Sequence, residues 1–127
     1  MNPPYVQKFD ELPYYEQDSG TNITYQFVVK PGAMGLLSAG RVRLTGPTRK
    51  ATDAHPDWDQ IYLVFKGSGT VLVAGEEHRV GPGHVVRVPR NTAHGVRLAE
   101  GESLEYVYVN AFTSPQVLAE RVRTLPK

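Results

Sequence analysis

The sequence predicts an all-β protein of antiparallel strands, and three observations carry that reading. Seven short runs rich in β-branched and aromatic residues fall at 23–29, 35–44, 61–66, 69–74, 84–88, 95–98 and 104–110. Turn signals separate them, among them Lys30-Pro31-Gly32, Thr45-Gly46-Pro47, Ala74-Gly75-Glu76, Gly81-Pro82-Gly83 and Glu100-Gly101. Helical periodicity is confined to the C-terminal end. Strands this short and this regularly spaced form a sandwich or a barrel, not βαβ units.

Taken in order, residues 1–20 carry Tyr5, Phe9, Leu12, Tyr14 and Tyr15 with no clean period. They are expected to wrap the barrel as an arm or to exchange with a partner. Residues 23–110 make the barrel itself. Ser114 then offers a capping hydroxyl ahead of Pro115, where a first-turn N–H is not needed. Leu118, Val122 and Leu125 follow at helical spacing, so a helix is predicted over 114–125. Its apolar stripe suits a cover over an open end or edge of the barrel, or a contact with a second subunit.

The composition narrows the classes of function. A length of 127 residues fits one domain, and 40% hydrophobic residues suffice for a core. Fourteen basic and thirteen acidic residues nearly cancel and form no basic cluster, which argues against nucleic-acid and membrane partners. With no cysteine, disulfides and thiolate sites are excluded, and any metal must be held by nitrogen and oxygen. The N-terminal stretch has no apolar core of a signal peptide, and no run reaches the length of a membrane span. The expectation is a cytoplasmic protein.

Two segments hold the residues suited to chemistry. In the first, TDAHPDWDQIYLVFKGSG over 52–69, Asp53 and His55 are two apart, so an extended chain projects both from one face. Gln60, Tyr62 and Val64 share a face of the next run by the same alternation. In the second, GPGHVVRVPRNTAHGV over 81–96, a strand leads through Pro89-Arg90-Asn91 to His94.

These two blocks resemble the paired motifs of the cupin superfamily. There the first block carries two histidines two apart, a glutamate and a closing glycine, and the second carries Pro-Gly, a Pro-x-Gly turn and a third histidine. By position, His55 matches the second histidine, Gln60 the glutamate, Gly67 the glycine and His94 the last histidine; Pro82-Gly83 and Pro89 also match. Asn91 stands where the turn glycine is usual, and asparagine tolerates the left-handed conformation. The match covers about a third of the chain by these motifs. It implies an antiparallel jelly-roll (double-stranded β-helix) barrel with a short C-terminal helix.

The resemblance also implies one divalent metal ion, with Asp53, His55, Gln60 and His94 as its ligands. Here Asp53 replaces a histidine and Gln60 replaces the glutamate, so one carboxylate is kept but moved. Two imidazoles and a carboxylate suit iron, with manganese, nickel and zinc also accommodated. The aspartate is shorter than the imidazole it replaces, which leaves open direct ligation, a bridging water, or a role as general base outside the ligand set.

Catalytic candidates are Asp53 and Tyr62; candidates for substrate contact are Arg43, Trp58, Tyr106 and Tyr108. Leu104, Tyr106, Tyr108 and Asn110 alternate with Glu105, Val107 and Val109, and the sequence leaves open which set faces inward. Arg41 and Arg43 share a strand face and are suited to an anionic group, although exposed strand arginines are common. His78 and His84 are assigned no role. The expected function is a metal-binding enzyme, an isomerase, lyase or dioxygenase, acting on a small polar carboxylate or sugar-derived molecule. The alternative is a cupin that binds a small ligand without turnover. A homodimer is expected, paired through strands and the apolar N-terminal segment.

Overall fold

The computed structural model describes residues 4–17 and 22–126; the predicted arm at 1–3 and 18–20 lies outside them. The strands are β1 (Tyr15–Glu16), β2 (Ile23–Met34), β3 (Leu37–Thr45), β4 (Thr48–Asp53), β5 (Trp58–Gly67), β6 (Gly69–Val73), β7 (Glu76–Val80), β8 (Val85–Val88), β9 (His94–Leu98) and β10 (Ser103–Phe112). One helix, α1 (Pro115–Arg123), follows them. The protein is thus mostly β with antiparallel pairing throughout, as predicted. Its strands hydrogen-bond as two sheets, one in the order β1-β2-β3-β10-β5-β8 and one in the order β4-β9-β6-β7.

The core lies between the sheets, and strand alternation decides who enters it. Val42 and Leu44 of β3, Tyr62 and Val64 of β5, and Leu104 and Tyr106 of β10 face Val71, Val96 and Leu98 of the smaller sheet. Leu44, Val96 and Leu104 are fully buried. Leu104, Tyr106, Tyr108 and Asn110 are therefore the inward set of β10, which answers the question the sequence left open.

Gly67 closes β5 with φ +79°, and a Cβ there would sit 2.0 Å from the Ser103 carbonyl oxygen. No other residue fits both demands. Helix α1 begins as expected, with the Ser114 hydroxyl accepting from the Val117 N–H at 3.2 Å. Its Val122 rests against Gly32 of β2, where an added Cβ would come within 3.2 Å. No helix among the described residues is long and apolar enough to cross a membrane.

On the outer face of the larger sheet the arm is held by a buried polar group. Gln26, fully buried, donates from Nε2 to the carbonyls of Phe9 (2.6 Å) and Leu12 (3.1 Å). Arg41 lies with its guanidinium 4.6 Å from the Phe9 ring centroid and 5.6 Å from that of Phe65. It donates to Glu105 at 2.5 Å, and Arg43 and Lys66 approach the same carboxylate at 3.3 and 3.6 Å. Arg43 therefore points away from the core and, unlike the other residues expected to contact substrate, is not among those that line the pocket described below. The reason is register: Arg43 pairs with Glu105 of β10, and both belong to the outward set.

Burial works against the Glu105 charge, but hydrogen bonds and attraction from Arg41 and Arg43 outweigh it and hold the carboxyl below its ordinary value of 4.5. A carboxyl depressed by folding stabilises fully above its unfolded pKa and loses that contribution as pH falls through the folded one. Glu105→Ala is expected to cost about 3–5 kcal/mol at neutral pH, because it leaves Arg41 buried and unpaired. Thermal unfolding measured against pH should show the gap between wild type and variant narrowing on the acid side of 4.5.

Candidate functional site

Two segments far apart in sequence meet at one end of the sheets. The Asn91 N–H donates to the His55 carbonyl at 2.8 Å, and Asp53 pairs with His94 across β4 and β9. Asn91 has φ +63°, the left-handed conformation expected of it, and this bend aims its N–H back at the His55 segment. β4 ends at Asp53, so His55 stands beyond the strand and its direction is not set by alternation.

The result is a close pair of imidazoles. The His55 and His94 rings are 4.9 Å apart, edge to face, and His55 stacks on Trp58 at 4.5 Å. His94 is buried, with Nδ1 2.9 Å from the Thr92 carbonyl oxygen. A carbonyl only accepts, so Nδ1 is the donor in this contact. Gln60 lines the same pocket as His55. Its Nε2 donates to Asn110 at 2.7 Å, which leaves Oε1 buried without a hydrogen-bond partner. An unpaired buried carbonyl oxygen costs about 1–3 kcal/mol, and such an atom is suited to receive a ligand hydroxyl or a cation.

Asp53 lines the pocket as well but is exposed. Among the described residues no three histidine, aspartate or glutamate side chains are gathered closely enough to hold a metal ion. The expected grouping of two imidazoles with the Asp53 carboxylate is therefore not assembled among the described residues; what the structure brings together is the His55–His94 ring pair, with Gln60 and Asp53 lining the pocket that His55 borders. Imidazole nitrogen and amide oxygen are donor types that divalent ions accept.

The remaining walls are aromatic. Tyr62, Tyr106, Tyr108 and Trp58 border a cavity of 350 Å³, at the small end of the range for ligand pockets (~300–1,000 Å³). Burial raises the Tyr62 hydroxyl far above its ordinary value, and burial does the same for Tyr106. Neither is a base near neutral pH; both are hydrogen-bond donors, and the two hydroxyls face each other as a pair. Tyr108 lies flat over Gly40 of β3, its cross-strand neighbour, where a Cβ would be 2.4 Å from the ring.

Asn110 and Arg121 also belong to the pocket and were not singled out from the sequence. Asn110 belonged to an alternating set already noted. Arg121 gave no local signal, because the docking of α1 over the pocket is a tertiary matter. His78 and His84 are exposed and do not line this pocket.

With this geometry in view, the chain belongs to the cupin family: the family described as "Cupin domain" matches residues 40–110. Solved structures agree on the fold. KdgF from Halomonas sp. is 24% identical, with a TM-score of 0.70 over 86% of this chain and 94% of that one. The polyketide cyclase RemF from Streptomyces resistomycificus is 16% identical, TM-score 0.76, over 88% and 83%. A predicted oxalate decarboxylase from Thermotoga maritima is 18% identical, TM-score 0.75, over 84% and 98%. No curated protein matches the chain in sequence.

Gly40→Ala is expected to push the Tyr108 ring out of its seat and to cost about 1–3 kcal/mol. Chemical denaturation would measure the loss, and near-ultraviolet circular dichroism would report the displaced ring.

Proposed function

We propose that this cupin is a metal-dependent enzyme acting on a small polar carboxylate or sugar-derived molecule, its two sheets forming the halves of a jelly-roll barrel. One observation carries the reading: the His55 and His94 imidazoles stand 4.9 Å apart, and His55 shares its pocket with Gln60, whose amide oxygen is buried and partnerless. A divalent ion bound by His55, Gln60 and His94, whether iron, manganese, nickel or zinc, supplies Lewis-acid polarisation of a substrate oxygen. The protein's own groups divide the remaining work. Asp53, at the rim and open to solvent, accepts a proton from the substrate. Tyr62 and Tyr106 keep their protons and donate hydrogen bonds to substrate oxygens. Trp58, stacked on His55, limits the access of water.

A polyketide cyclase and a predicted oxalate decarboxylase stand among the proteins of like fold, and these support catalysis in place of passive binding. Isomerase, lyase and dioxygenase chemistry all suit the arrangement. A neutral donor set with its carboxylate displaced also favours a second reading, a ligand-binding cupin without turnover. Asp53→Asn separates the two: it abolishes turnover in the enzyme and leaves ligand affinity intact in the binding protein.

Calorimetric titration with manganese or zinc tests the metal. His94→Ala should weaken binding by more than about 100-fold, beyond the ~10–100-fold loss typical when only an outer partner of a ligand is removed. Asp53→Asn should retain affinity within about tenfold, in line with a place outside the donor set. Equal binding by wild type and His94→Ala would sink the metal reading.

We also propose a homodimer, paired through the outer face of the larger sheet. Leu63, Phe65 and Val85 are apolar there and each is at least 41% exposed. Light scattering at micromolar concentration should give twice the chain mass, and Leu63→Glu should halve it.

A further inference from the structure

Resting on the reading of the pocket as a ligand site, we infer that Arg121 of α1 anchors a carboxylate of that ligand, with the Trp58 indole N–H and the Tyr108 hydroxyl beside it. The case begins with the balance of donors and acceptors. Trp58 Nε1 is a buried donor with no partner in the protein, and the Tyr62–Tyr106 hydroxyl pair, which shares one hydrogen bond, keeps one further O–H to donate; all three residues line the cavity. Against them stands one partnerless buried acceptor in the pocket, Gln60 Oε1. A ligand that satisfies such a surface must itself be rich in acceptor oxygens.

Charge then selects among oxygen-rich ligands. Arg121 is the one lysine or arginine that lines the cavity among the described residues. It makes no ion pair within the described protein, since Glu120 beside it pairs with Arg123. The Arg121 guanidinium carbon lies 5.8 Å from the Trp58 ring centroid. A guanidinium held over an indole face keeps its N–H edge free, and that edge matches the two oxygens of a carboxylate. Its charge reaches the pocket wall: burial raises the Tyr108 hydroxyl, and Arg121 opposes that rise.

The position is fixed by construction. Ser114 caps the helix and Val122 abuts Gly32, which places Arg121 on the wall of the cavity that His55 and Gln60 also line. A small hydroxy- or oxo-carboxylate spans that arrangement, its acid group on Arg121 and its other oxygens toward Tyr106 and Gln60. The cavity of 350 Å³ sets the upper size.

Trp58 is the protein's single tryptophan, so intrinsic fluorescence reports on this site directly. Full-length protein would be titrated with glucuronate, tartrate and malonate, each beside its neutral counterpart, glucose, tartramide and malonamide. At least one carboxylate should give a saturable change, with its neutral partner at least about tenfold weaker, the difference expected of a charge-assisted pair. Arg121→Gln should lose about tenfold in carboxylate affinity and with it the preference for charge, and Arg121→Lys should recover part of both. Thermal midpoint and manganese binding should be unchanged in both variants, which a purely structural role for Arg121 does not allow. If Arg121→Gln keeps the preference, or if no carboxylate of the panel binds wild type, the inference is overturned. Failure of wild type to bind manganese, with the preference still dependent on Arg121, would remove the metal reading and support this one.

Discussion

The site exists because one backbone hydrogen bond joins two segments more than thirty residues apart. The Asn91 N–H reaches the His55 carbonyl at 2.8 Å, and this contact requires the left-handed turn that Asn91 adopts. It acts together with the pairing of Asp53 with His94 and the bond from the Thr113 N–H to the Asp57 carbonyl, which hold the two ends of the His55 segment. The Thr92 carbonyl completes the arrangement by accepting from Nδ1 of His94. A few main-chain groups between Asn91 and His94 thus help to set the separation of the pair and the orientation of the His94 ring.

Around this junction the fold separates mechanical from chemical tasks. The outer face of the larger sheet holds the ionised groups, with Arg41 paired to Glu105 and covered by Phe9. The inner face near the pocket is neutral and aromatic. β10 serves both at once, since Glu105 points out while Tyr106, Tyr108 and Asn110 point in. Such a strand tolerates little change in register: a slip of one residue would send the carboxylate into the core and the tyrosines into solvent.

Much of this was legible in the sequence, for identifiable reasons. His55, Gln60 and His94 were found because their spacing along two motif blocks survives as proximity in space. The cap at Ser114 and the turn at Asn91 were found because they are local backbone requirements. The outward direction of Arg43 was not legible because alternation says which residues share a face, not which face is inside; that was decided by Glu105, sixty-two positions away. Asp53 seemed to join His55 because both were placed on one extended strand, whereas the strand stops at Asp53. Arg121 escaped notice because a helix is read by its apolar stripe, and the polar flank that meets a pocket has no periodicity of its own.

The helix that carries Arg121 follows β10 and rests on β2 through Val122. The imidazole pair is built wholly from the strands and their connections. A change confined to α1 would therefore reach the pocket wall at Arg121 and leave in place the strands and connections that carry His55 and His94.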